Sequence, residues 1–335
     1  MTYTRTSVST VSLRNVQAKR AWKRPVRAIG CLLAAFLFSL PSARADVVAD
    51  WNKIALHSVV SSEQRPAHAA LEMAMVHVAM FETMNFVEGA YVPRFVVKPY
   101  RRVGVSSEAA AAAAAHYVLA QLHPEHKPAL DAALQHSTAA IPNAQEKSSA
   151  LITGRALGAN IYAIWASDLS SAGQGVAGGA SKTSQVRAST RGSGASSVAW
   201  YWIVGQFIEA HRLTPIESAR LYALVSMALS DVRGGKPDAK DSYESVHACA
   251  PCAAGAAIQV ILESELGSAG ASGMTLTGAS ATGAAYTSSR IREYARGVSF
   301  EPIPGADNSQ QSIEASEEMG RKIGLRTLTN YKPSR

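Results

Sequence analysis

The sequence has few charged residues and no hydrophobic run long enough for an ordinary membrane span. Only 17% of its 335 residues are charged, whereas 47% are hydrophobic. These fractions exclude an intrinsically disordered chain and a collagen-like one. They are ample for a buried core, and the length suits one large domain or two small ones.

Acidic residues are absent from the first 45 positions, and this absence locates the excess basic charge. Eight of the 33 Lys and Arg residues lie in residues 1–45, and the other 25 balance the 25 Asp and Glu of residues 46–335. The formal charge of +8 therefore belongs to the leader. Because the rest of the chain is neutral, we expect no nucleic-acid partner.

The same 45 residues predict a bacterial Sec-type signal peptide. A basic stretch ends at Arg27, an apolar run spans residues 28–40, and Ala43 and Ala45 fit the small-residue pattern of signal peptidase. Cleavage between Ala45 and Asp46 would give a periplasmic or secreted protein. The apolar run is shorter than the ~20 residues of a membrane span, so we expect no transmembrane span in the mature chain. An uncleaved signal anchor and a misplaced start codon are the alternatives.

Cysteine is scarce, with three residues in the whole chain. Cys31 leaves with the leader, and the apolar run follows it instead of preceding it, which argues against lipidation. Cys249 and Cys252 then remain, an even number in an oxidising compartment. Their C-x-x-C spacing is typical of thiol–disulfide oxidoreductases, but no βαβ pattern precedes it. We therefore expect a structural disulfide, with redox catalysis as the alternative.

Residues 46–335 predict helices joined by Gly-, Ser- and Ala-rich connections, without a convincing strand pattern. Capping boxes begin at Asn143 and Thr214, and residues 67–87, apolar on nearly every face, predict a buried central helix. The predicted helices are 48–60, 67–87, 109–122, 144–166, 198–210, 215–230, 252–266, 287–298 and 309–328. We expect long loops at 170–197 and 267–286, and one α-helical domain over 46–335 with a flexible insertion at about 170–197.

Polar residues within the predicted helices show no metal-binding pattern. His77 and Glu82 are five positions apart and do not share a helix face, so we expect them to be a hydrogen-bonded polar pair of the core instead of a metal site. Four other histidines lack a ligand pattern and are expected at solvated positions: His116, His123, His126 and His136. The sequence therefore predicts no metal site.

Four segments resemble one family along nearly the whole mature length. They are residues 75–85 (MVHVAMFETMN), 213–224 (LTPIESARLYAL), 238–243 (DAKDSY) and 318–324 (EMGRKIG). In order and spacing they are similar to the vanadium-dependent haloperoxidases and their relatives, the type 2 phosphatidic acid phosphatases (PAP2), in the bacterial soluble branch. The resemblance implies an all-α fold, a helical bundle around an oxyanion pocket.

In that family the pocket is formed by three motifs, K-x6-R-P, P-S-G-H and S-R-x5-H. The lysine and two arginines hold the oxygens of phosphate or vanadate, and backbone amides at a helix amino terminus add to them. One histidine is the acid/base, and the last attacks phosphorus or ligates vanadium. Cationic donors suit a doubly charged tetrahedral anion, and the attacking group needs a nitrogen lone pair.

Only one of these five diagnostic side chains is carried onto this sequence, as Lys240. His247 and Pro302 stand where the two arginines are expected, Pro251 replaces the acid/base histidine, and Asn308 replaces the nucleophilic histidine. Loss of a single oxyanion donor costs about 10²–10³ in rate. An amide such as Asn308 has no basic lone pair with which to bind phosphorus or vanadium.

These substitutions predict an exported haloperoxidase/PAP2-like protein that is not an active enzyme and has a binding or structural role in the periplasm. The expected partner is a small ligand or a periplasmic protein, and no cofactor is expected. The alternative is an acid phosphatase or vanadium-dependent haloperoxidase that uses vanadate or phosphate at a rearranged anion site around Lys240 and His247. An arginine from elsewhere, such as Arg290 or Arg292, turned into the pocket would favour that alternative.

Overall fold

The computed structural model describes nine stretches of the chain: 46–61, 66–95, 104–174, 193–234, 249–272, 275–279, 285–288, 290–298 and 309–331. They belong to one compact unit, Ala45–Arg335. The helices are α1 (Val47–Ser61), α2 (Pro66–Glu88), α3 (Ser107–Leu122), α4 (Lys127–Ser137), α5 (Ala144–Gln174), α6 (Ser193–His211), α7 (Pro215–Gly234), α8 (Ala250–Gly270), α9 (Ile291–Val298) and α10 (Gln310–Asn330). A 3₁₀ turn, Pro124–His126, joins α3 to α4. Strands β1 (Leu276–Ala279) and β2 (Ala285–Ser288) form an antiparallel hairpin between α8 and α9.

Helix α2 lies at the centre of the bundle, as its sequence predicts. Every residue from Glu72 to Asn85 is buried, and the helix packs against α3, α5 and α7. A helix that is apolar on all faces is stable only where neighbours cover all of them. Among the described helices, none combines the length and apolarity needed to cross a bilayer.

Two helix pairs approach each other closely through glycine. A side chain at Gly154 of α5 would collide with the carbonyl oxygen of Ala110 in α3, and one at Gly320 of α10 would collide with that of Ala253 in α8. These two pairs, α3 with α5 and α8 with α10, make the most extensive helix contacts in the described fold. The absence of a side chain is what permits this spacing.

The helix starts agree with their capping signals. Oδ1 of Asn143 accepts hydrogen bonds from the amides of Gln145 at 2.9 Å and Glu146 at 3.1 Å. The Glu217 carboxylate reaches back to Thr214, accepting from its amide at 2.8 Å and from its hydroxyl at 2.7 Å. Each cap satisfies groups that the helix itself leaves unpaired.

The all-α prediction is confirmed, and every predicted helix is present with shifted ends. The long loops were predicted too broadly, because α5 continues to Gln174, α6 begins at Ser193 and residues 285–288 form a strand. Four-residue strands rich in Gly, Ala and Thr are too short for an alternating pattern to register. Residues 175–192 of the predicted insertion lie outside the described residues.

Candidate functional site

The predicted site residues divide into those that the structure describes and those that it does not. Five lie outside the described residues: Ala45, Lys240, His247, Pro302 and Asn308. The anion site formed by Lys240 and His247 therefore stays a prediction. Pro251 and the two cysteines lie at the start of α8, and Asp46 directly precedes α1.

The amino terminus of α8 is the place where the family resemblance puts the oxyanion. Cys249 is the N-cap residue, and its sulfur accepts a hydrogen bond from the amide of Cys252 at 3.3 Å. Pro251, in the first turn, has no amide hydrogen to donate. Free amides at a helix amino terminus normally attract anions. Here one is missing and another is already used, so the described residues do not fit a phosphate or vanadate cradle at this position.

The two cysteines at this terminus form a disulfide. Both are buried, with Cys249 5% and Cys252 2% exposed. The disulfide agrees with the predicted pairing. Because both sulfur atoms are buried, thiols in solution have little access to them.

Arg290 and Arg292, the two arginines considered as replacements in an oxyanion pocket, form ion pairs with glutamates. Arg292 and Arg296 of α9 both donate to the carboxylate of Glu317 in α10, which is 1% exposed. Nε of Arg296 lies 2.8 Å from Oε1. Arg290 forms an exposed ion pair with Glu293 at 3.3 Å. These arginines therefore join α9 to α10 or pair locally along α9.

A cavity of about 240 Å³ lies beside a buried arginine that sequence reasoning missed. Arg220 of α7 donates to Glu265 through Nε at 2.8 Å and Nη2 at 2.9 Å, and Nη2 also reaches the carbonyl oxygen of Tyr331 at 2.8 Å. Its guanidinium lies 4.6 Å from the ring centroid of Tyr91. Nη1 has no hydrogen-bond partner among the described residues. The cavity is lined by Tyr91, Arg220, Ser264, Glu265, Leu328 and Tyr331.

Comparison with known proteins establishes what this architecture is. No family model and no curated protein matches the sequence. Among solved structures, the chain is similar to the one described as the first bacterial vanadium-dependent iodoperoxidase. The TM-score is 0.60, and the match covers 87% of this chain and 96% of the other at 11% sequence identity. The chain has the haloperoxidase fold. The resemblance seen in the four sequence segments is thus confirmed at the level of the fold.

His77 and Glu82 are buried polar groups at the centre of the haloperoxidase fold, but they do not bond to each other. Nδ1 of His77 lies 2.6 Å from the hydroxyl of Ser226, and its ring stacks on Tyr222 with centroids 4.9 Å apart. Burial lowers the pKa of His77 to about 3, so the ring is neutral at physiological pH. The prediction that both are polar groups of the core is confirmed, but the prediction that they form a pair is wrong, since each bonds to another residue.

Glu82 accepts a hydrogen bond from the amide of Arg94 at 3.1 Å, while its Oε2 has no partner among the described residues. Burial raises the pKa of Glu82 to about 7, against the opposing hydrogen bonds from Arg94 and Phe95. This carboxyl group of the haloperoxidase fold is therefore partly protonated near neutral pH.

The prediction of solvated histidines is wrong for two of the four. His116 is 8% exposed and lies 2.7 Å from Asp131, and His123 is 1% exposed and lies 3.2 Å from Glu72. Burial alone would lower the pKa of His123, but the hydrogen bond to Glu72 and the charges of Glu72 and Glu125 raise it. Residues 51 positions apart carry no local signal of this pairing.

Proposed function

We propose that this haloperoxidase-fold protein is exported, has lost phosphatase and haloperoxidase chemistry, and has a binding or structural role in the periplasm. The observation that carries the proposal is the closed amino terminus of α8. There the Cys252 amide donates to Cys249 and Pro251 has no amide hydrogen. An oxyanion enzyme of this family needs donors at that terminus.

The pairing of the arginines supports the same proposal. Turning Arg292 or Arg296 toward an oxyanion would remove one of the two charge partners of Glu317, a buried carboxylate, and turning both would leave it unpaired. An unpaired buried charge is costly. These guanidinium groups are therefore poorly suited to replace the arginines expected at His247 and Pro302.

The cavity beside Arg220 supports a binding role. Glu265 balances the charge of Arg220, so the Nη1 group offers hydrogen bonds without net positive charge. Such a site favours a small neutral molecule with a carbonyl or hydroxyl acceptor over a phosphate. Tyr91 and Leu328 supply the apolar wall.

Export is supported by the leader and is compatible with the start of the described fold. Oδ1 of Asp46 accepts a hydrogen bond from the amide of Val48 at 3.0 Å. The first residue after the predicted cleavage site therefore supplies the cap of α1, and cleavage after Ala45 would leave that cap in place.

Mass spectrometry of the protein from a periplasmic fraction should give an amino terminus at Asp46. Recovery of the full-length chain from the membrane fraction would refute export by cleavage.

The loss of enzymatic chemistry is tested with the protein purified from that fraction. It would be assayed for phosphomonoester hydrolysis and, after loading with orthovanadate, for oxidation of iodide by peroxide. We expect no turnover above a heat-denatured sample, and no stoichiometric orthovanadate binding by calorimetry.

The fold likeness to an iodoperoxidase favours one second candidate, an enzyme with its anion site around Lys240 and His247. Under that hypothesis, turnover disappears in Lys240→Ala and persists in Lys53→Ala, a change at an exposed lysine of α1. That pair of results would overturn the proposed loss of activity.

A further inference from the structure

The turn between α3 and α4 brings two histidines and a glutamate together. His123 ends α3, and the 3₁₀ turn Pro124–His126 follows it directly. The amide of His126 donates to the carbonyl oxygen of His123 at 3.0 Å, which fixes the backbone of the turn. One possible ligand atom from each of His123, Glu125 and His126 lies within 4.8 Å of the other two.

Glu72 of α2 orients the first of these side chains. Its Oε2 lies 3.2 Å from Nε2 of His123, and both side chains are 1% exposed. An ionised carboxylate only accepts hydrogen bonds, so Nε2 of His123 carries the proton. In the neutral ring the lone pair then lies on Nδ1. A carboxylate behind a ring nitrogen in this way is typical of histidines that bind metals.

The opposite side of the His123 ring faces a second carboxylate. Nδ1 of His123 lies 3.5 Å from Oε1 of Glu125. A divalent cation that replaced the proton on Nδ1 would be bound by this nitrogen and the carboxylate oxygen together. Next to them, Nδ1 of His126 is buried and has no hydrogen-bond partner among the described residues. The rings of His123 and His126 stack with centroids 5.6 Å apart.

We propose that His123, Glu125 and His126 bind a divalent transition-metal ion, with Zn²⁺ as the probe. Two imidazole nitrogens and one carboxylate oxygen form a ligand set that suits zinc, with a water molecule in the fourth position. In tetrahedral coordination with zinc bonds of about 2.0–2.2 Å, the ligand atoms lie about 3.4 Å apart. The three atoms, which lie within 4.8 Å of one another, must therefore move closer when the ion binds. Glu125 can supply this movement by rotation, because its side chain is 58% exposed.

Glu72 is the positioning residue of this site. It contacts His123 and not the ion, and it fixes which ring nitrogen is available. The three ligands and Glu72 belong to none of the segments or motifs of the haloperoxidase resemblance. The metal site is therefore independent of the proposed function.

The test is zinc titration of the protein, purified without a histidine tag and freed of metal by chelation. Calorimetry should show one Zn²⁺ per chain, and the Tm should rise with zinc. Glu125→Gln and His126→Gln should each weaken zinc affinity at least tenfold, while His136→Gln, at an exposed position of α4, should leave it unchanged. Circular dichroism of each variant establishes that it is folded.

Glu72→Gln tests positioning through a second readout. We expect about tenfold weaker zinc binding and a changed visible spectrum of the Co²⁺-substituted protein, since the orientation of the His123 ring is no longer fixed. Absence of zinc binding by the wild type, or equal affinity in wild type and Glu125→Gln, would overturn the site. Neither result would bear on the enzymatic assays.

Discussion

The carboxylate of Glu317 in α10 lies 2.8 Å from Nε of Arg296 in α9, and this partly buried ion pair joins the two helices. Arg292 donates to the same carboxylate. Burial alone would raise the pKa of Glu317, but the hydrogen bonds and charges of the two arginines outweigh it and hold the pKa below its usual value. The pair therefore contributes stability while Glu317 is ionised.

Glu317→Gln should lower the free energy of unfolding by about 1–2 kcal/mol at pH 7. The estimate is below the ~3–5 kcal/mol of a broken fully buried pair, since Arg296 and Arg292 are 39% and 44% exposed. Urea denaturation measures the change. The adjacent Glu318→Gln, at a 50% exposed position, is the matched control and should have a much smaller effect, because exposed ion pairs contribute little.

The same pair gives a pH dependence of known sign. A carboxyl group with a depressed folded-state pKa stabilises the protein above its unfolded value of 4.5 and loses that contribution as the pH falls further. The difference between wild type and Glu317→Gln should shrink as the pH falls below 4.5. A difference that stays constant down to pH 3 would contradict the ion-pair account.

Glu82 should have the opposite pH dependence. Its folded pKa is raised from 4.5 to about 7, so the folded protein holds a proton that the unfolded chain releases. Stability that Glu82 contributes therefore falls as the pH rises through that window. Glu82→Gln should be more stable than wild type at pH 8, by up to about 3 kcal/mol, and the gain should vanish at pH 4. Glu88→Gln, at the exposed end of α2, is the matched control.

Gly320 should not tolerate even a methyl group. A Cβ there would overlap the backbone carbonyl of Ala253, and neither helix can yield locally. Gly320→Ala should destabilise the fold by about 1–3 kcal/mol, although alanine is worth about 1 kcal/mol more than glycine in a helix. Lys322→Ala, exposed on the same helix, is the control for placing an alanine in α10 away from the contact with α8. A Gly320→Ala protein with a higher Tm than wild type would show that α8 and α10 lie farther apart.

The disulfide should behave as a structural bond. Because Cys249 and Cys252 are bonded to each other and buried, the mature protein unfolded without reductant should not react with Ellman's reagent, and its reduction potential should lie below about −300 mV. A potential near −200 mV together with rapid reduction of the native protein would instead support thiol–disulfide catalysis.

Local sequence signals account for the helices but not for the contacts between them. The burial of α2 followed from apolar residues on every face, and the caps at Asn143 and Thr214 followed from side chains within three residues of them. The pairing of Arg220 with Glu265 joins residues 45 positions apart, and that of His123 with Glu72 joins residues 51 apart. Such pairs depend on how helices are arranged in space, and one sequence does not encode that arrangement locally.

The cluster of His123, Glu125 and His126 was missed for a different reason. Its members are adjacent in the sequence, but the expectation of solvated positions came from their place near a turn. What distinguishes the site is Glu72, which approaches from α2 and buries His123. The sequence shows the three ligands next to one another, but it does not show that Glu72 lies beside His123 and orients it.

Seven consecutive alanines, Ala109–Ala115, form the first half of α3, and all are at most 3% exposed. A methyl group has no rotamers to lose, so this segment is immobilised without the side-chain entropy loss that leucines would incur. Because these alanines are buried on every side of the helix, there is no space for a larger side chain at any of the seven positions. A larger residue in this stretch would therefore have to be matched by changes in the neighbouring helices that pack against it.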